Sequence, residues 1–150
     1  MPDSAVLCEK LQTVWDDSFP LASAMGLKVV SLEDHVLTTC TPLTGNTNIH
    51  DTAFAGSLYS ALAMTAWGLL YLEIEQAGIN ASIIHASGEI EFAHTVQEDI
   101  VASAGFAGCE HHIETLRRTG KTRLNLTSTV STASGIASRF TGLYLARQDN

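Results

Sequence analysis

A chain of 150 residues, 45% of them hydrophobic, can bury one sizeable core and is short for two, so a single domain over residues 1–150 is expected. No Pro-, Ser- or Gln-rich tract marks a linker, which excludes a tethered or disordered chain. Sixteen acids against eight Lys and Arg give a formal charge of −8, and with no basic stripe interleaved with aromatics the sequence excludes nucleic acid as a partner.

In chain order, "MPDSAVLCEKLQTVWDDSFP" carries acids where a secretory or transit peptide would carry basic residues, so the protein is expected to stay in the cytoplasm. Leu7, Leu11, Val14 and Trp15 recur at helical spacing behind a Ser4 cap. "LKVVSLED" and "HVLTTCTPL" read as strands joined by a tight acidic turn, the second stopping near Pro42. A long helix follows over about residues 54–77, with Gly78 as its stop. Beyond it, "ASIIHASGEIEFAHT", "EDIVASAGFAGCE", "TRLNLTSTVSTA" and "IASRFTGLYLAR" read as four strands separated by turn-like "VQ", "RRTGK" and "SG".

Within "TRLNLTSTV", Leu124, Leu126 and Val130 alternate with polar residues, so one face is covered and the other wet. The element order is α+β, with one long helix laid on one curved antiparallel sheet. The "IIHASGEIEF" strand needs a partner for its edge, which a second copy provides by two-fold pairing. A homodimer is therefore expected, and dimers stacked into a tetramer are compatible with it.

No charged side chain interrupts the run between Asp51 and Glu73, a length that would cross a bilayer. Ser57, Ser60 and Thr65 dilute it, the flank "EIEQ" is acidic, and no Lys or Arg stands near either end, so a buried helix is expected and no membrane span. Cys8, Cys40 and Cys109 lie far apart without a C-x-x-C spacing, the pattern of reduced thiols. Six histidines form no H-x-x-x-H or cysteine-containing cluster, so no metal is expected; His50 alone lies near the helix start.

The stretch "TPLTGNTNIHDTAFAGSLYSALAMTAWGLL", preceded by "FPLASAMGLKVV", resembles the hotdog-fold "putative thioesterase" family that forms the C-terminal part of some bacterial acetyltransferases. The resemblance covers nearly the whole chain and is most specific at Pro42, Leu43, Asn46, Asn48, the run "TAFAGSL" from Thr52, and Trp67. More distantly, the chain is similar to phenylacetate-pathway thioesterases, whose motif of Asn, five residues and His-Gly-Gly falls on Asn48 and Phe54-Ala55-Gly56. The resemblance implies a hotdog dimer with its site at the helix start, acting on thioesters of acyl carrier protein or coenzyme A. It implies no cofactor apart from the phosphopantetheine that the substrate brings. Asn46, Thr52, Phe54, Ser57 and Ser60 are then the candidate substrate contacts.

The chemistry of that start agrees, because the first turn of a helix offers unpaired N–H groups and the positive end of the macrodipole. Ala55 and Gly56 present such groups with almost no side chain in the way, and the Asn48 amide adds a donor, together forming an oxyanion hole that faces a cavity. Structural readings stand beside these: Asn48 tying the loop, Gly56 letting helix meet sheet, Thr52 capping the helix. Asp51 is the nearby acid, either a loop acid or a general base.

In the better-known thioesterases the catalytic carboxylate lies seven residues past the second Gly, where this chain has Ala63. Ser60 shares that face but is a poor base, and Ala61, Leu62, Met64 and Thr65 offer no carboxylate. Decarboxylation of a malonyl thioester needs the oxyanion hole and no base. Members of the resembled family are linked to malonyl-carrier-protein decarboxylation as well as to thioester hydrolysis. Conversion of malonyl-acyl carrier protein to acetyl-acyl carrier protein is therefore the expected reaction, with acyl-thioester hydrolysis and non-catalytic acyl-thioester binding as alternatives. Arg117, Arg118, Lys121 and Arg123, half of the basic residues, lie in "RRTGKTR", either a docking patch for an anionic carrier or nucleotide, or a solvated turn.

Overall fold

In the computed structural model, which describes residues 2–150, Asp3 rather than Ser4 opens the first helix, its carboxylate accepting from the Ala5 N–H. That helix, α1, spans Ser4–Ser18 and buries Leu7, Leu11 and Trp15, while Val14 is only partly covered. A short helix absent from the sequence reading, α2 (Pro20–Met25), follows, started by proline at its first position and stopped by Gly26 at φ +77°. Strands β1 (Lys28–Glu33) and β2 (Val36–Thr41) form a hairpin turned by Asp34 and His35, both at positive φ.

The long helix α3 (Ala55–Gln76) leads into β3 (Ala81–Phe92) and β4 (Ile100–Gly105). A fourth helix, α4 (Glu110–Thr119), precedes β5 (Lys121–Thr132) and β6 (Gly135–Gln148). The segment "RRTGK" is thus not a turn between strands. Arg117 and Arg118 form the last turn of α4, and Gly120, at φ +81°, caps it. All six strands join one antiparallel sheet in the order β1-β2-β4-β5-β6-β3. Strand β4 pairs with β5 only from Ala102 to Ala104, and α4 packs on the flank of β5 that this short pairing leaves.

Helix α3 lies on the inner face of that sheet. On β5, Thr122, Leu124, Leu126, Ser128 and Val130 are buried and alternate with more exposed residues, the expected half-covered strand. Polar groups fix the helix in place: Ser128 Oγ donates to the Leu62 carbonyl and the Tyr144 hydroxyl to the Ala63 carbonyl, each at 2.8 Å. The chain adopts the expected hotdog arrangement, one long helix wrapped by a curved sheet. No helix among the described residues is long and apolar enough to cross a membrane.

The two outer strands differ. Helix α1 covers the free edge of β1: Ser4 Oγ donates to the Leu32 carbonyl, Gln12 Nε2 to the Leu27 carbonyl, and the Val29 N–H donates to Gln12 Oε1. Strand β3 pairs only with β6 among the described residues, leaving Ile84 and Phe92 exposed.

The β1–β2 turn is fastened to α3 by His35, whose Nδ1 lies 2.7 Å from Oε1 of buried Glu73. Burial holds the Glu73 carboxyl above its ordinary range, and the hydrogen bond to Glu73 holds the His35 imidazole above its own. A histidine pKa raised by folding stabilises the fold fully below the unfolded value, about 6.5, and loses that contribution as pH rises through the folded value. The raised Glu73 pKa acts in the same sense over a lower range, because stability falls as pH climbs from the ordinary glutamate value to the raised one. His35→Ala is expected to cost more stability near pH 6 than near pH 8.5, read from urea midpoints at the two values; equal losses would remove the charged pair from this account.

Candidate functional site

Residues 46–54 fold back on themselves just before α3. Thr47 and Ala53 form an antiparallel bridge, the Asn48 N–H donates to the Thr52 carbonyl at 2.9 Å, and the Phe54 N–H donates to the Asn46 carbonyl at 2.8 Å. The Ala53 N–H reaches the Val96 carbonyl at 2.8 Å, which ties the helix start to the segment after β3. Asp51 stands exposed at the loop tip with φ +59°, and its carboxylate makes no hydrogen bond among the described residues.

At the start of α3 the first helical hydrogen bond runs from the Leu58 N–H to the Phe54 carbonyl, and no side chain caps the helix. The N–H groups of Ala55, Gly56 and Ser57 consequently have no acceptor among the described residues. These donors point out of the positive end of a 22-residue helix. The half-exposed Phe54 ring folds over Gly56, so close that a Cβ at that position would lie against its Cε1 and Cζ. Glycine at 56 is needed by this ring as well as by any ligand approaching the helix.

The partly exposed Asn48 uses its oxygen and one amide hydrogen on its own loop. Oδ1 accepts from the His50 N–H at 2.8 Å and the Thr52 N–H at 3.3 Å, and Nδ2 donates to Thr52 Oγ1 at 2.9 Å. Its second amide hydrogen has no partner among the described residues, so one donor stays free. Thr52 therefore bonds Asn48, and the capping role expected of it from the sequence is not what it performs, since no side chain caps α3.

Asn46 and Ser57, read from the sequence as substrate contacts, are used by the fold. Asn46 is 4% exposed; its amide hydrogens go to the carbonyls of Met25 and Pro42, and its Oδ1 accepts from Ser57 Oγ. A buried amide must pair its polar atoms, and here the pairing locks α2, the loop and α3 together.

One turn beyond Gly56, Ser60, Ala63 and Met64 face Phe19, Leu21 and Met25 across a cleft of about 350 Å³ between α3 and α2. No acid among the described residues lines it, and Ala63, the position at which the resemblance would place a carboxylate, is part of the lining. Asn48, Ala55 and Gly56 all lie outside that lining, so the oxyanion hole expected from the sequence does not open into this cleft. The far wall comes from α2, which sequence reasoning missed although Pro20 and Gly26 mark its two ends.

The four basic residues of "RRTGKTR" divide between two elements. Arg117 and Arg118 are exposed on the last turn of α4, where cations offset the negative end of the helix, and Arg117 Nη2 donates to the Ala77 carbonyl at 3.3 Å. Lys121 and Arg123 project from β5 beside Arg147 of β6, a neighbour that only strand pairing reveals. Since Ala77 follows the end of α3, the α4 terminus lies a full helix length, about 33 Å, from the unpaired N–H groups. No group of three or more His, Cys, Asp or Glu among the described residues is placed to hold a metal ion, and the three cysteines are free.

Comparison with known proteins matches residues 8–148 to a family model described as "Putative thioesterase (yiiD_Cterm)". Among solved structures, a "putative thioesterase" from Shewanella oneidensis aligns with a TM-score of 0.90 at 24% identity, over 95% of this chain and 99% of that one. A "Probable Thioesterase" of Pseudomonas aeruginosa aligns at 0.80 and 20% identity over 99% of each chain. The Escherichia coli PaaI protein, from the phenylacetic acid degradation operon, aligns at 0.62 and 12% identity over 99% of this chain and 97% of that one.

Proposed function

The chain belongs to the family described as "Putative thioesterase (yiiD_Cterm)", and from that premise we propose that it is an enzyme of acyl thioesters that decarboxylates malonyl-acyl carrier protein to acetyl-acyl carrier protein. The observation that carries this reading is the pairing of unused N–H donors at the start of α3 with an acid-free, apolar cleft one turn further on. Such donors stabilise an oxygen as it becomes negative, and no carboxylate lines the cleft beyond them to activate water.

In the proposed step the Ala55 and Gly56 N–H groups and the free hydrogen of Asn48 Nδ2 hold the thioester oxygen. The bond between the malonyl α-carbon and its carboxylate breaks, carbon dioxide leaves, and the electron pair passes into an enolate centred on that oxygen. A proton from water then converts the enolate to the acetyl thioester. Phe54 closes over the helix start, and the phosphopantetheine arm belongs to the substrate.

Docking of the carrier is assigned to Arg117 and Arg118 on the exposed end of α4. Within one protomer that end is remote from the helix start. Two-fold pairing of β3 with its copy brings the end of one α3 towards the beginning of the other, since β3 starts beside the former and finishes beside the latter. A homodimer, which we propose as the working state in the cytoplasm, would thus let one protomer receive the carrier for its partner's site.

Incubation with malonyl-acyl carrier protein followed by intact mass measurement tests the reaction. Acetyl-acyl carrier protein is the expected product. Free carrier protein would replace decarboxylation by hydrolysis, with Asp51 promoted to general base, and stoichiometric binding without product would indicate an acyl-thioester-binding module.

A further inference from the structure

Three cations on the face of the sheet turned away from α3 have no partner. Lys121 and Arg147 are directly opposed on β5 and β6, and Arg123 lies two residues along from Lys121 on the same face. Like charges directly opposite on neighbouring strands destabilise a sheet. Yet none of the three forms an ion pair or side-chain hydrogen bond among the described residues, whose ion pairs involve Lys10, His35 and Arg117 instead. In a chain with twice as many acids as Lys and Arg, such a cluster is not explained by the fold.

Beside the cations the same face is apolar. Arg123 pairs with Leu145 and Leu145 with Ile84, a row across three strands that ends on the 59% exposed Ile84. Helix α4 rises next to this row, and His111 helps it wall a groove of about 780 Å³ over these residues. No Asp or Glu lines the groove, and no Phe, Tyr or Trp is present to stack a nucleotide base. Asp149 accepts from Ser82 Oγ and lies outside this lining, although it shares an adjoining pocket with Lys121 and Arg147.

From this combination we propose that the groove between α4 and the β5–β6–β3 face binds a fatty-acid-like carboxylate, its head group held by Lys121, Arg123 and Arg147 and its chain laid over Leu145 and Ile84. The apolar floor requires a tail, the unpaired cations require an anionic head, and the groove volume is within the range of small-molecule sites. Within one protomer this site is remote from the helix start, and its assignment does not depend on the reaction proposed there.

Titration of the full chain with decanoate, followed by calorimetry and by methyl NMR of labelled Ile and Met, tests the assignment. Decanoate is expected to shift the Ile84 methyl while leaving Met25 and Met64, which line the α2–α3 cleft, unmoved. Each added methylene from octanoate to dodecanoate should tighten binding about two- to fourfold. Arg123→Ala or Arg147→Ala should weaken decanoate binding about tenfold. Decanol bound as tightly as decanoate, unchanged affinity in both arginine variants, or shifts at Met25 and Met64 with none at Ile84 would each overturn the proposal.

Discussion

Asn48→Ala is expected to slow turnover of the acyl thioester by about 10² to 10³, the usual loss when one donor of an oxyanion hole is removed. The side chain also ties its loop, so the alanine variant alone does not separate the two roles. Asn48→Asp does. It keeps the oxygen that accepts from the His50 and Thr52 N–H groups and removes the Nδ2 donor. A residue that only holds the loop tolerates aspartate, because the Thr52 hydroxyl can donate to the carboxylate in place of accepting from Nδ2; a donor to a nascent oxyanion does not, and a carboxylate there adds repulsion. The informative measurement is kcat for both variants alongside their urea midpoints. An Asn48→Asp enzyme as fast as wild type and equally stable would take Asn48 out of the reaction.

Trp15→Ala is expected to lower the unfolding free energy by about 3–5 kcal/mol, the range for deleting a large aromatic from a core. Trp15 is fully buried, and its indole N–H has no hydrogen-bond partner among the described residues, so its contribution is packing. It rests on Gly68 of α3, where a Cβ would come within 2.8 Å of Trp15 Cζ2 and 2.9 Å of Leu11 Cδ2. Gly68→Ala should therefore be destabilising by about 1–3 kcal/mol, despite a helix-propensity gain of up to about 1 kcal/mol. In the double variant the added methyl enters the space that the indole vacated. The two losses should then fall short of their sum by about 1 kcal/mol or more, measured by urea denaturation of all four proteins. Strict additivity would show that α1 and α3 do not meet at this point.

The fold was legible wherever one physical rule controlled a segment. The alternation along β5 follows from one covered face, and α3, free of charge up to Glu73, stops just before Gly78, whose φ of +70° suits glycine. Helix α4 was hidden because Ile113 and Leu116 are its only apolar residues, too short a stripe to count. Its end signals were present in Glu110, Arg117, Arg118 and Gly120, but Gly120 was read as a hairpin turn and not as a helix stop. Helix α2 is too short for periodicity to register.

At the candidate site the sequence indicated the helix start but not how its polar residues are shared. Asn46 and Asn48 are identical in chemistry and two positions apart. One is buried and fully engaged by carbonyls of distant residues, and the other keeps a free hydrogen. Only tertiary contacts with Met25, Pro42 and Ser57 distinguish them. Arg147 was invisible for the same reason, since its opposition to Lys121 exists only through strand pairing.

The unequal edges of the sheet bear on how copies of this chain can accumulate. Ser4 and Gln12 engage the Leu32 carbonyl and the Val29 N–H of β1 and the Leu27 carbonyl just before it, while β3 pairs on one side alone among the described residues. Polymers built by strand addition need an adhesive edge at both ends of every unit. With α1 laid along the other edge, a symmetrical encounter through β3 would terminate there, and the side chains of α1 would work against growth into fibres.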